Sequence, residues 1–137
     1  MLFVEEVTVP KGTSEENPVT KEMELAPGVL TRIDIVFPFG CNCMVGVKIA
    51  YGEKIILPSN PEKWIKGNGE TVPIRLSLEH YDEPFRIKII AASPGTNYDH
   101  TIYIRAEVLP EEIAFPERRL AKMLAEIAKK LVVRPLE

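Results

Sequence analysis

The pair Cys41-Asn42-Cys43 and the two histidines, His80 and His100, are the residues whose types could bind a soft metal ion. Residues two apart on an extended chain lie about 6.6 Å apart with parallel side chains, which is the far limit for a disulfide. A structural zinc site needs four ligands and more loosely spaced pairs. Strand directions, derived below, put the histidines at opposite ends of the fold. We therefore predict no metal and no cofactor, with Cys43 in the core and Cys41 as a thiol in a turn.

Two carboxylates stand next to histidines, in Asp99-His100 and Glu79-His80, and such neighbours could act in proton transfer. Adjacent residues on a strand point to opposite faces, so neither pair forms a dyad by sequence alone. His100 is interpreted as a half-buried, hydrogen-bonded histidine that opens a strand. The sequence contains no G-x-S-x-G, P-loop, G-x-G-x-x-G or H-E-x-x-H motif. We predict no catalytic residue, and a hydrolase or isomerase with scattered site residues is the alternative.

The candidate binding residues are apolar side chains on predicted loops. Loop 58–70, PSNPEKWIKGNGE, carries the only tryptophan, Trp64, beside Ile65 in otherwise polar surroundings. Tyr98 is expected on loop 93–99 at the same end of the fold. Apolar tips on loops bounded by Pro and Gly are frequent contact sites. Trp64 could instead fold back and cap the open end of the fold, and both interpretations stay open.

Apolar and polar residues alternate with period two along most of the chain, which is typical of strands with one face on a core. These strands position the loops. Strands are predicted at 29–37, 43–51, 72–78, 85–91 and 100–108, and weaker ones at 2–9, 19–25 and 54–57. Val29, Thr31, Ile33, Ile35 and Phe37 are expected on one face. Turn-forming clusters separate the strands, which predicts a mainly β fold, an antiparallel β-sandwich or jelly roll of seven to eight strands. Pro73 predicts an edge strand or a bulge.

If consecutive strands run antiparallel, loops 38–42, 58–70 and 93–99 lie at one end of the sandwich. Segments 52–53 and 79–83 then lie at the other end.

Residues 117–133, ERRLAKMLAEIAKKLVV, predict a C-terminal amphipathic α-helix after Pro116. Apolar side chains at helical spacing form one face, called the apolar stripe below. Its members, the predicted oligomerisation residues, are Leu120, Met123, Leu124, Ile127 and Leu131. Because an isolated helix of this length is marginal in water, the stripe is expected to pack on its own sandwich or on a neighbouring molecule.

The 137 residues, 45% hydrophobic and 27% charged, predict one domain. Residues 1–18 are expected to form an N-terminal strand and a flexible polar arm at 10–18, residues 19–110 the sandwich, and residues 117–133 the helix. No run of about 18 apolar residues exists, which excludes a membrane-spanning helix. The first ten residues, MLFVEEVTVP, lack the basic end and apolar run of a signal peptide.

Charge and composition disfavour some classes of partner and source. A net charge of −3 disfavours nucleic acid as the main partner, and the mixed charges of the helix disfavour a membrane surface. Two cysteines exclude a disulfide scaffold. The absence of Gln and the 12 prolines favour a thermophilic source.

The stretches VLTRIDIVFPFG, KIILPSNPEKWIKGNG and GTNYDHTIYIRAEV, together with the polar arm and the terminal helix, give an architecture that resembles small accessory virion proteins of tailed phages, especially capsid decoration proteins. The resemblance implies a sandwich that trimerises on a capsid lattice and reaches neighbouring subunits through arms. We accordingly expect a non-enzymatic structural protein that self-associates, in the virion or the host cytoplasm. The alternative is a carbohydrate-binding module that uses Trp64 and Tyr98 for stacking.

Overall fold

Two antiparallel sheets packed face to face, followed by two C-terminal helices, make up the computed structural model, which describes residues 1–133. The predicted mainly β sandwich with a C-terminal helix is therefore confirmed. The strands are β1 Leu2–Val9, β2 Val19–Leu25, β3 Gly28–Phe37, β4 Gly46–Tyr51, β5 Lys54–Leu57, β6 Ile65–Lys66, β7 Glu70–His80, β8 Phe85–Ala92 and β9 His100–Leu109. The helices are α1 Glu111–Ala114 and α2 Pro116–Val133.

The four-stranded sheet has the order β1-β9-β3-β7, and the five-stranded sheet has the order β2-β8-β4-β5, with β6 also paired to β4. The three weaker strands of the sequence prediction are present with the predicted bounds. Pro73 lies in β7, an edge strand, as predicted, because proline has no N–H to donate to a second neighbour.

The core lies between the inward faces of the two sheets and is made of aliphatic side chains with few aromatic rings. Phe37 and Phe85 are the largest of the fully buried side chains. Each buried aliphatic or aromatic side chain contributes about 1.5–3 kcal/mol relative to its exposed state. This layer holds the sandwich together without a contribution from residues 116–131 of α2, because the buried hydrophobic side chains among the described residues all belong to the strands and to loop 38–45.

The inward face of β3 differs from the prediction. A β-bulge between Leu30 and Arg32 shifts the register against both β7 and β9. Leu30 therefore joins Ile33 and its successors in the core cluster, whereas Val29 is fully buried but outside that cluster and Thr31 is only half-buried. One extra residue in a strand reverses the faces on one side of it, which simple alternation does not anticipate.

Residues 10–18, predicted as a flexible arm, are tied to loop 93–99 of their own chain. The backbone N–H of Lys11 donates to Asp99 Oδ1 at 2.8 Å, and that of Ser93 donates to the Thr13 carbonyl at 2.9 Å. The Ser93 hydroxyl also donates to the Pro10 carbonyl at 2.9 Å. The segment therefore braces one end of the sandwich instead of extending from it.

Helix α2 projects from the sandwich. Every residue from Pro116 to Leu131 is exposed, and the five residues of the apolar stripe are between 52% and 69% exposed. The possibility that the stripe packs on its own sandwich is thus wrong. The physical reason lies in the connection, since the short helix α1 packs beside β3 and directs α2 away from the sheets.

Candidate binding and assembly sites

Three loops meet at one end of the sandwich, as the strand directions predict. The backbone N–H of Gly40 donates to Asn68 Oδ1 at 3.0 Å, and that of Gly69 donates to the Pro38 carbonyl at 3.2 Å. Loop 93–99 completes this end, because it borders the same depression as Phe39 and Gly40. We call this end the loop end and the opposite one, beside α1, the helix end.

Trp64 lies on the outer face of the five-stranded sheet. Its ring covers Gly46, where an added Cβ would come within 2.7 Å of the tryptophan Cβ. The Lys48 ammonium lies 4.2 Å from the ring centroid and donates to the Pro61 carbonyl at 2.6 Å. Trp64 is therefore half-buried against β4, and it is neither an exposed loop tip nor a cap on the end of the sandwich.

Ile65 and Tyr98, the other predicted binding residues, have different surroundings. Ile65 pairs with Val47 in the β6–β4 register and packs against the core. Tyr98 is 76% exposed at the loop end. The three residues predicted as one contact surface are thus divided among the outer sheet face, the core and the loop end, and Tyr98 alone keeps the predicted setting.

The cysteines take the reverse of the predicted positions. Cys41 is fully buried and Cys43 is exposed, because Asn42 and Cys43 adopt left-handed backbone angles with φ of 48° and 57°. The Met44 N–H closes this turn on the Cys41 carbonyl at 2.8 Å, so β4 begins only at Gly46. Burial raises the pKa of the Cys41 thiol, and the neighbouring Cys43 adds to the rise. Cys41 is therefore an unreactive core thiol.

His80 lies at the helix end in an aromatic cluster. Its ring stacks on Phe85 with centroids 5.0 Å apart, and its Nδ1 lies 2.5 Å from the Tyr51 hydroxyl. The Tyr51 ring meets both partners edge to face. These rings close the helix end of the sandwich, which the sequence analysis did not anticipate.

His100 lies at the loop end and is half-buried as predicted, but the predicted hydrogen bond is wrong, since its ring bonds to no other residue in 1–133. The two histidines are at opposite ends, as expected from strand direction. Neither carboxylate neighbour forms a dyad with them, because Asp99 accepts from Lys11 and Glu79 pairs with Arg118. Within residues 1–133, no group of three or more His, Cys, Asp or Glu side chains could hold a metal ion.

The base of α2 is attached through Arg118. Its guanidinium pairs with Glu79 of β7, lies 3.5 Å from Glu111 Oε1, and stacks 3.9 Å from the ring centroid of Phe115. The hydrogen bond from Arg118 lowers the pKa of Glu79. Desolvation and the hydrogen bond to Glu79 raise the pKa of Tyr81 to about 12. This cluster fixes where the helix leaves the sandwich, while the apolar stripe beyond it stays uncovered.

Two residues of the loop end were not predicted from the sequence: Phe39, which is 86% exposed, and Met44 beside it. An available signal was the Pro38-Phe39-Gly40 turn, since an aromatic residue between Pro and Gly cannot join a strand and is held at a loop tip.

No helix among the described residues combines the length and apolar character needed to cross a membrane.

No family model and no curated protein matches the chain. Among solved structures, a de novo designed double-stranded β-helix is similar with 18% identity and a TM-score of 0.39, over 77% of this chain and 99% of that one. The pre-peptidase C-terminal domain of collagenase from Bacillus anthracis has 10% identity and a TM-score of 0.41, over 77% and 88%. The CBM36-1 domain of a multidomain xylanase from the hindgut metagenome of Trinervitermes trinervoides has 10% identity and a TM-score of 0.36, over 78% and 86%.

Proposed function

We propose that this chain is a non-enzymatic structural protein that self-associates through α2. The observation that carries the proposal is the uncovered apolar stripe on a helix that touches the sandwich only at its base. A helix of this length alone in water is marginal, and contiguous exposed apolar surface of this kind marks an interaction site. A stable α2 therefore needs a partner that covers the stripe.

The side chains of α2 favour a second copy of the same helix as that partner. Leu120, Leu124, Ile127 and Leu131 follow the four-three-four spacing of a coiled-coil seam. The flanking positions Ala121, Ala125 and Ala128 are small and allow a second helix to approach closely. No aromatic residue lies on the stripe, whereas helices that lie in a membrane interface commonly carry Trp or Phe there.

Replacing apolar seam residues with Gln tests the proposal, since Gln is a fair helix former that removes the apolar surface. We expect the full chain to be a dimer or trimer by light scattering after size exclusion at micromolar concentration. The variant Leu124→Gln/Ile127→Gln should be a monomer. Lys122→Gln/Glu126→Gln, on the polar face of the same helix, is the matched control and should keep the oligomer.

A full-length chain that is still monomeric at about 100 μM would contradict the proposal, because specific protein pairs associate at much lower concentrations. Equal masses for the two double variants would contradict it as well. A trimer is the state that the resemblance to capsid decoration proteins favours. The virion setting is a further prediction, tested by whether genes for capsid or tail proteins adjoin the coding sequence.

A further inference from the structure

The loop end carries a depression that the assembly proposal does not use. It has a volume of about 430 Å³, within the range of roughly 300–1,000 Å³ typical of small-molecule sites. Phe39 and Tyr98 are the most exposed aromatic side chains of the described residues, at 86% and 76%, and both line it. Exposed rings that share one concave surface provide a face on which a ligand can stack.

Polar groups with free hydrogen-bonding capacity lie around these rings. The side chains of Asn42, Asn97 and His100 line the depression, and none of them makes a hydrogen bond to another residue in 1–133. An amide offers both donors and an acceptor, and a neutral imidazole offers one of each. No Asp, Glu, Lys or Arg lines the depression. The lining therefore suits a ligand that is uncharged and carries groups that both donate and accept.

The surrounding backbone holds Phe39 and Thr96 in place before any ligand binds. Phe39 lies over the backbone of Gly69, where an added Cβ would come within 2.4 Å of the ring. The Gly69 N–H donates a hydrogen bond to the Pro38 carbonyl. On the other side of the site, the Gly12 N–H donates to Thr96 Oγ1 at 3.3 Å. Rigid placement of this kind reduces the ordering cost of binding.

We propose that the depression binds a neutral saccharide, with one sugar ring stacked on Phe39 or Tyr98 and its hydroxyls bonded to Asn42, Asn97 and His100. A pyranose ring presents an apolar C–H face and a rim of hydroxyls that donate and accept, which matches both parts of the lining. A protein partner would need about 800 Å² of surface, far more than this depression offers. The site differs from the sequence prediction, because Phe39 takes the place of Trp64.

Affinity electrophoresis of the full chain tests the proposal, in native gels that contain soluble neutral polysaccharides: an α-glucan, a β-glucan, a mannan and a galactan. We expect at least one of them to retard the protein. At least one of the variants Phe39→Ala and Tyr98→Ala should weaken that retardation about tenfold, the effect of losing the stacked ring. Tyr103→Ala is the matched control, because Tyr103 is 43% exposed on β9 and outside the depression, and it should leave the retardation unchanged.

Absence of retardation by all four polysaccharides would overturn the proposal. Equal retardation of Phe39→Ala, Tyr98→Ala and Tyr103→Ala would also overturn it. Melting curves of the variants exclude unfolding as the cause, since both rings are largely exposed. The monomeric variant Leu124→Gln/Ile127→Gln separates this proposal from self-association, because it should still bind at a single site.

Discussion

Three aromatic side chains owe their positions to glycines. An added Cβ would come within 2.7 Å of Trp64 at Gly46, within 2.6 Å of Phe37 at Gly67, and within 2.4 Å of Phe39 at Gly69. Each glycine removes a side chain so that a ring can lie directly on backbone. The loop end and the outer face of β4 are thus shaped by the smallest residues of the chain.

Gly46→Ala tests this arrangement at a single residue. The added methyl group forces the Trp64 ring away from β4, and overpacking of this kind costs about 1–3 kcal/mol. We expect a lower free energy of unfolding in urea and a red-shifted emission, since Trp64 is the only tryptophan. Gly95→Ala is the control, because its methyl group would meet only the flexible Met44 sulfur at 3.3 Å. Unchanged emission in Gly46→Ala would contradict the packing described here.

Some residue positions could not be predicted from the sequence. Alternation placed Cys43 in the core, but the left-handed Asn42 and Cys43 turn the chain so that Cys41 is buried instead. Trp64 was expected at a loop tip, and its cover over Gly46 depends on the pairing of β6 with β4. Both outcomes depend on backbone geometry or tertiary contact, which a local pattern does not contain.

At the scale of elements, the sequence predicted the long strands well. Strand β9 follows its predicted alternation throughout, because it pairs with β1 in unbroken antiparallel register and the extra residue of its pairing with β3 lies in β3. Strand β6 was missed because two residues show no periodicity. The β3 bulge was missed because it exists only in relation to β7 and β9.

The edges of the sandwich carry charges that oppose sheet-to-sheet aggregation. Glu5 of β1 and Lys21 of β2 face each other at 2.9 Å, and the Lys21 ammonium also donates to the Glu6 carbonyl at 2.9 Å. The hydrogen bond from Lys21 lowers the pKa of Glu5. The inward-pointing charges of Glu5 and Lys21, and the Glu6 carbonyl that already accepts a hydrogen bond from Lys21, oppose the addition of another strand to β1. This edge is therefore not the surface through which we propose that the chain self-associates.

The contact between β7 and α2 should depend on pH. Because the hydrogen bond from Arg118 lowers the pKa of Glu79, its stabilising contribution is complete above the ordinary Glu pKa of 4.5. That contribution is lost as the pH falls through the lower pKa of the folded protein. We expect Glu79→Gln to lower the melting temperature at pH 7 by at most about 4 °C, because the pair is exposed. The difference between wild type and variant should vanish towards pH 3.

Glu22→Gln is a suitable control for that measurement. Glu22 is an exposed carboxylate whose nearest cation, Arg86, lies 3.9 Å away, so its removal should change the melting temperature little at any pH. A Glu79→Gln difference that persists at pH 3 would show that the ion pair does not attach the helix.

At the scale of the whole molecule, the sandwich and α2 appear as two parts with separate requirements. The sandwich buries its core within the strands and loop 38–45, whereas every residue of α2 from 116 to 131 is exposed. We expect the first part to be stable alone and propose that the second depends on association. Under that proposal the loop end faces outward while α2 holds several copies together.

Removing residues 117–137 tests this division. We expect residues 1–116 to remain folded and monomeric, because, of the part of α2 that the structure describes, the deletion removes no core residue and only the Arg118 contacts. The melting temperature of the full chain should rise with protein concentration, since association stabilises only the folded state, and that of residues 1–116 should not. At low concentration the two should melt within about 4 °C of each other, because an exposed ion pair contributes little. Differential scanning calorimetry over a hundredfold range of protein concentration measures both melting temperatures. A full chain whose melting temperature is independent of concentration would show that α2 does not drive assembly.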